Sequence, residues 1–345
     1  MSMELRTSPH LVSDRSVERI MKHVVLALLP VCTFSVWQYG LSALALLIVV
    51  TTTCLATERF LNRAAKQAST LNDWSATITG LLLALTLPPA FPLWMGAVAG
   101  FVAIAIGKAL FGGLGHNVFN PALIGRAFVQ ASFPVAITTW APPFAVHRFS
   151  EFIPSTLTLP FMIPNDNAAW IAAATVDGFT GATPLARWKY EHFVYPVQDM
   201  LTGAASASSG ETSAILLLLC GLYLAARKFM DWRIPVAVIG SAVLVAWAFR
   251  LYGGEAFPPI HLVVLSGGLV LGALFMATDM ATSPVTPLGV WIYGAVIGVV
   301  TVMIRYFGGL TEGVMYAILL GNALTPLIDK YTQPRVFGTR QQRKS

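Results

Sequence analysis

Residues 92–114 read PLWMGAVAGFVAIAIGKALFGGL, and residues 287–310 read PLGVWIYGAVIGVVTVMIRYFGGL. Each stretch runs from Pro-Leu through a Gly-Ala-Val-x-Gly group to a basic residue and then to Phe-Gly-Gly-Leu. Gly96 and Gly100 match Gly294 and Gly298, Lys108 matches Arg305, and Gly112-Gly113 match Gly308-Gly309. Farther on, Asn117 stands four positions before Pro121, as Asn322 does before Pro326. Gly, Ala and Val recur in any membrane helix, but a shared order over about 30 residues marks an internal repeat.

The chain around this repeat is apolar. Hydropathy and length give ten candidate membrane spans: roughly 22–39, 41–57, 75–90, 92–108, 119–138, 213–227, 233–250, 260–277, 287–304 and 312–329. Pro88-Pro89 and Pro284–Pro287 interrupt two of the spans or their flanks. The expected fold is an all-α polytopic membrane protein of about ten transmembrane helices in two five-helix repeats. An odd number of spans inverts the second repeat relative to the first. Inverted repeats with interrupted helices place functional sites near their interface. The expected organisation is a cytoplasmic segment (1–21), a first repeat (22–139), a long outer loop (140–212), a second repeat (213–330) and a basic tail (331–345). The stretch from His10 to Lys22 is a candidate interfacial helix.

Composition supports a lipid environment. Of 345 residues, 56% are hydrophobic and only 11% charged, and mean hydropathy is +0.68. Soluble domains carry roughly one-quarter charged residues. The net charge is +6, but the basic residues lie between apolar stretches and at both ends, so a nucleic-acid partner is not expected. With the N-terminus in the cytoplasm, Arg6, Arg15, Arg19, Lys22, Arg59, Arg63, Lys66, Lys108, Arg227, Lys228, Arg233, Lys330, Arg335, Arg340, Arg343 and Lys344 fall inside. These are 16 of the 22 Lys and Arg. The positive-inside rule selects this orientation and puts residues 140–212 on the outer face. The first apolar run begins near Val24 without a signal-peptide cleavage site and is expected to stay as an anchor. Cys32, Cys54 and Cys220 each sit in an apolar run, away from metal-ligand spacing, so no metal site is expected.

The outer loop contains Thr175-Val176-Asp177-Gly178-Phe179-Thr180-Gly181-Ala182-Thr183-Pro184-Leu185. Taken alone, it is a small-residue segment with turn chemistry. It also resembles the flavinylation motif Asp-x-x-Ser/Thr-Gly-Ala-Thr. Other segments carry the resemblance across the chain: SPHLVSDRSVERIMKHVVLALLP (8–30), FGGLGHNVFNPALIGRAF (111–128), FMATDMATSPVTPLG (275–289) and GNALTPLIDKYTQPRVFG (321–338). Together they are similar to the NqrB/RnfD family. That family comprises subunits of sodium-pumping NADH:quinone reductases and of Rnf ion-translocating electron transport complexes. Quinone-reductase members have a longer N-terminus, so the Rnf branch is favoured and the other remains the alternative.

The resemblance implies electron transfer between reduced ferredoxin and NAD, coupled to sodium or proton movement across a bacterial inner membrane. It implies FMN joined to Thr183 by a phosphodiester, placed there by a flavin transferase. Asp177, Gly178, Thr180, Gly181 and Ala182 would form the recognition segment. The implied partners are the Rnf A, B, C, E and G subunits, within the lipid bilayer. A second flavin, riboflavin, is implied in the membrane part, with Asn117 and Asn120 as candidate contacts. Two departures stand out: Thr180 replaces the commoner Ser, and His116 replaces a residue that is often Gln. Asp279, at the cytoplasmic end of a span, is an ion-coupling candidate because carboxylates at membrane depth are functional by default. The competing reading of Asp279 is a helix cap. Glu58, Glu312 and Asp329 are expected at membrane interfaces. A solute channel, similar in fold to urea channels, is the reading from a different class. It leaves the Asp177–Thr183 segment unexplained.

Overall fold

The computed structural model describes residues 16–66, 70–174, 182–211, 213–309 and 311–334. The first half contains α1 (Val17–Tyr39), α2 (Leu41–Ala64), α3 (Ser75–Thr86), α4 (Leu93–Ala105), α5 (Pro121–Ser132) and the short α6 (Pro134–Ile137). The segment between the halves holds α7 (Ala168–Ala174), α8 (Pro184–Glu191) and α9 (Val197–Thr202). The second half contains α10 (Ala214–Ala226), α11 (Arg233–Gly253) and α12 (Ile260–Leu265). It continues through α13 (Leu269–Leu271), which runs into a π-turn at Gly272–Met276, to α14 (Pro287–Phe307) and α15 (Val314–Thr332). The stretches Val17–Tyr39, Leu41–Ala64, Leu93–Phe111, Arg233–Ala256 and Pro287–Phe307 are long and apolar enough to cross a membrane. The fold is that of an all-helical polytopic membrane protein.

The repeated glycines seat one helix on another in each half. A Cβ on Gly96 would lie 3.0 Å from Leu46 Cδ1, and one on Gly100 would lie 3.1 Å from the Val50 carbonyl, so these glycines seat α4 on α2. Gly294 and Gly298 do the same for α14 on α11. A Cβ on Gly294 would lie 3.0 Å from the Ile234 carbonyl, and one on Gly298 would overlap the Val238 carbonyl and Ser241 Oγ. Small residues let membrane helices gain van der Waals contact where lipid supplies no hydrophobic drive. We expect Gly298→Val to wedge α14 from α11 and greatly reduce the yield of monodisperse protein in detergent. Gly240→Ala, at a position with open space around it, should leave the elution profile unchanged. A normal profile for Gly298→Val would contradict this seam.

Three expected spans are not continuous helices. The 75–90 span is only α3, which stops before Pro88-Pro89. Its last carbonyls are met by returning chain: Ser209 N–H donates to Leu87 O at 3.0 Å and Gly210 N–H to Leu85 O at 2.6 Å. The long connecting segment therefore ends by dipping into the bundle, where Ser208 and Ser209 are buried. The 260–277 span breaks after α12 at Gly267 and Gly268, both at positive φ. Arg305 closes that break, donating to Val263 O at 2.5 Å, Ser266 O at 3.0 Å and Gly267 O at 2.8 Å. The 119–138 span divides into α5 and α6 at Pro134. Interrupted backbone at membrane depth survives only where such partners replace water. The described part of the expected interfacial helix, Val17–Lys22, is the start of α1, capped by Ser16, which accepts from Arg19 N–H at 3.2 Å.

Lys108 and Arg305, matched in the repeat, are both buried rather than placed at a water-facing end. Lys108 thus drops out of the charge bias. The expected interface position of Glu58 is corrected for the same reason: it pairs with Lys108 at 2.7 Å inside the bundle. Glu312 pairs with Arg126 at 2.5 Å, bringing the two halves together. Asp329 accepts from Val285 N–H at 3.1 Å and Thr286 N–H at 3.4 Å, bracing the start of α14. The three cysteines are buried and free.

Candidate functional site

Two regions carry the residues expected to be functional. On the segment between the halves, Thr183 is the N-cap of α8. Its backbone is extended (φ −69°, ψ 159°), and its hydroxyl accepts from Ala186 N–H at 3.4 Å, while Pro184 takes the first helical position. Proline is pre-shaped for that position and has no N–H to leave unpaired. A cap explains why a hydroxyl stands here, a role that turn chemistry alone did not reveal. Thr183 is only 2% exposed. Ser206 Oγ donates to the neighbouring Ala182 carbonyl at 2.8 Å and ties the segment to the descending loop. Asp177, Gly178, Thr180 and Gly181 lie outside the described residues.

Helix α8 is braced on the membrane bundle. Leu185 packs with Met200 and Leu262, flanked by Trp188, Tyr195 and Leu265. Lys189 Nζ donates to the Gly308 carbonyl at the end of α14, at 2.5 Å. Arg187 stacks over Phe193, 4.3 Å from its centroid, and bonds Tyr195 Oη at 3.2 Å and Glu191 at 3.1 Å. The Tyr195 hydrogen bond, helped by Glu191, holds the Arg187 proton more tightly than usual.

At the other end of the bundle, Asn117, Asn120 and Asp279 line one pocket, although they lie far apart in sequence. Most of its wall is apolar, including Val24, Leu82, Leu224, Phe229, Leu274 and Phe275, with Lys108, Ser75 and Thr79 as further polar groups. The π-turn supplies Leu274 and Phe275, and such turns are frequent at functional sites. The two amides are partly committed to backbone. Asn120 Oδ1 caps α5 by accepting from Ala122 N–H at 3.0 Å, and its nitrogen donates to Met276 O at 3.3 Å. Asn117 Nδ2 donates to Phe119 O at 3.2 Å, and its oxygen accepts from Gly115 N–H at 3.2 Å. Each amide nitrogen has a second hydrogen left for a ligand. Asp279 accepts from Ala281 N–H at 3.2 Å, so it turns the local chain as a cap does while also lining the pocket.

Some site features were not legible beforehand. Asn322, matched to Asn117 in the repeat, sits against Asn120. Its amide nitrogen donates to Tyr293 Oη at 2.8 Å and Ile318 O at 3.3 Å, and its oxygen accepts from Asn120 N–H at 3.1 Å. Glu211 joins Arg126 and Glu312 around a small cavity between the halves.

The arrangement defines a polytopic membrane protein with a helix-capping threonine on one face and a polar-tipped apolar pocket at the opposite end. Residues 4–338 match the model of the NQR2, RnfD, RnfE family, and the chain belongs to that family. It is 41% identical to the D component of the proton-translocating ferredoxin:NAD(+) oxidoreductase complex of Clostridium ljungdahlii, over 98% of this chain and 96% of that protein. It is 39% identical to the D component of the Na(+)-translocating ferredoxin:NAD(+) oxidoreductase complex of Acetobacterium woodii, over 100% and 98%. It is 36% identical to the D component of the ion-translocating oxidoreductase complex of Salmonella newport, over 99% and 100%.

Proposed function

We propose that this chain is the membrane subunit of an Rnf-type, ion-translocating ferredoxin:NAD oxidoreductase, carrying FMN on Thr183. Full-length similarity to the D components of two ferredoxin:NAD(+) oxidoreductase complexes and of one ion-translocating oxidoreductase complex supports the assembly. The observation that carries the site is the Thr183 hydroxyl at the N-terminus of α8. The positive end of the helix dipole favours a phosphate there, so a phosphodiester on this oxygen suits its surroundings. Because Thr183 is buried, a flavin transferase has to act before α8 docks, or after the Ser206–Ala182 contact opens.

The pocket of Asn117, Asn120 and Asp279 fits a second flavin, riboflavin. Its apolar walls end in a few polar groups, the lining that small-molecule and cofactor sites share. Bound there, a flavin supplies one- and two-electron chemistry. The protein's part is to cover the ring with Phe229, Leu274 and Phe275 and to meet its edge with amides. Asp279 lines the same pocket and is the ion-coupling carboxylate of this reading. The remaining Rnf subunits supply the nicotinamide and iron–sulfur centres. The coupled ion is sodium or the proton.

The reading puts α8 on the outer face of the inner membrane and both termini in the cytoplasm. Ser150 is exposed on the outer segment, and the native cysteines are buried. A Ser150→Cys variant is therefore expected to react with an impermeant maleimide in intact spheroplasts. Labelling only after lysis would reverse the orientation. Ultraviolet fluorescence of the denatured band tests the flavin itself: a bright band at the chain's mass is expected, and a dark band from cells carrying the flavin transferase would favour a channel instead.

A further inference from the structure

Beside the first turn of α4, the chain between the halves forms a loop with an uncharged, apolar tip. Residues 152–165 include no Asp, Glu, Lys or Arg. At the tip, Phe161 is 95% and Ile163 89% exposed, and Leu159 and Met162 are largely exposed beside them. Large apolar side chains clustered on an outward face mark a surface that something apolar covers. A polar base holds the loop out. Ser155 Oγ donates to Ala90 O in the α3–α4 turn at 2.6 Å and accepts from Asn167 Nδ2 at 2.9 Å. Thr158 Oγ1 donates to Ser155 O at 2.7 Å and accepts from Asn165 N–H at 3.3 Å. Phe161 turns the tip at positive φ (65°). That conformation is costly for a bulky residue and persists only where its surroundings impose it.

The depth of the tip says what covers it. The rings of Phe161 and Trp94 have centroids 5.6 Å apart. Trp94 is the second residue of α4, in a stretch long and apolar enough to cross a membrane. The tip is therefore level with the boundary of the bilayer, where tryptophan anchors membrane helices. Pro160 and Pro164 bracket it and bring no N–H that lipid would leave unpaired. Behind the tip lies a cavity of about 390 Å³, lined by Val135, Thr139, Trp140, Asn165 and Asp166, among others. Small-molecule sites run to roughly 300–1,000 Å³. Among the described residues of the lining, Asp166 alone is charged. Its Oδ1 accepts from Ala168 N–H at 3.0 Å, and a carboxylate has capacity for further donors. We propose that the tip inserts among acyl chains and that the cavity behind it seats a phospholipid with an ammonium headgroup, the ammonium on Asp166. A headgroup charged only through its phosphate would meet that carboxylate with no Lys or Arg in the described lining to offset it.

Two measurements test this. In the assembled complex in vesicles, a spin label on Ile163→Cys is compared with one on Ser150→Cys, which lies exposed on the same connecting segment. The signal of the unsubstituted complex, labelled in parallel, is subtracted. With a nickel chelate on both sides of the membrane, the Ile163 label should collide with it several-fold less often than the Ser150 label does. It should collide several-fold more often with oxygen, which concentrates among acyl chains. Free access of the chelate to the Ile163 label would put the tip in water and overturn the proposal. Low access of both reagents would put a partner subunit over the tip and overturn it equally. Native mass spectrometry of the full chain, given equal phosphatidylethanolamine and phosphatidylglycerol in detergent, reads the headgroup. The ethanolamine lipid should form several-fold more adducts. Asp166→Asn, at an exposed position, should fold normally and abolish the preference. Equal adducts in the wild type, or an unchanged preference in Asp166→Asn, would overturn the site.

Discussion

Replacing Thr183 with Val is expected to eliminate the covalent flavin from this chain entirely. The substitution removes the acceptor oxygen and keeps the branched shape. It also removes the N-cap of α8, which costs about 1 kcal/mol. That is small against the roughly 5–15 kcal/mol that holds a typical domain together, so the variant should still assemble. Thr183→Ser keeps both the cap and a hydroxyl and should retain attachment in part. Thr180→Val should weaken attachment less than Thr183→Val, because that hydroxyl is at most a recognition element. Mass spectrometry of the peptide spanning 175–187 is the deciding measurement. Wild type should carry the mass of an esterified FMN on Thr183, and Thr183→Val none. Full modification surviving in Thr183→Val would move the acceptor elsewhere.

The largest expected effect on stability comes from breaking the Lys108–Glu58 pair. Both residues are 3% exposed. Lys108 Nζ lies 2.7 Å from Glu58 Oε1 and 2.5 Å from Ser75 Oγ, with Asp73 Oδ2 at 4.0 Å. The Thr70 hydroxyl also donates to Glu58. The pair therefore joins α2, the N-terminus of α3 and the chain just beyond α4. Its attraction is largely spent on desolvating two charges, so its net worth is modest, but removing one partner strands the other in a dry environment. Lys108→Ala should cost about 3–5 kcal/mol and lower the thermal midpoint of the detergent-solubilised protein sharply. The double variant Glu58→Leu/Lys108→Met removes both charges and keeps volume, and it should recover most of that loss. The midpoints are read by size-exclusion chromatography after heating. A Lys108→Ala variant that melts with the wild type would show the pair to be solvated, contrary to its burial.

Much of this protein was settled by its sequence. Apolar runs separated by basic residues define a membrane fold because lipid cannot satisfy a free backbone or an unpaired charge, and that constraint acts on each segment separately. The repeated Gly-Ala-Val-x-Gly group was equally visible, since a close helix seam needs small side chains at fixed spacing wherever it occurs. The order of motifs across residues 4–338 carried the family.

The tertiary structure decided how the broken helices are completed. Leu85 and Leu87 are met by Gly210 and Ser209, and the α12 break by Arg305. Lys108 meets Glu58 across 50 positions, and Arg126 meets Glu312 across 186. Lys108, Glu58 and Glu312 read as charges at span ends because hydropathy records what a segment is made of, not what approaches it. Asn117, Asn120 and Asp279 were recognisable as polar residues near breaks, but their convergence on one pocket depends on how α5 packs beside the π-turn. Thr183 looked like part of a turn because Pro184 hides the start of a short helix, and its role as a cap required that helix to be docked on α12 and α14. A buried polar group must be satisfied by whichever chain lies nearest in space, and no local pattern in the sequence encodes that neighbour.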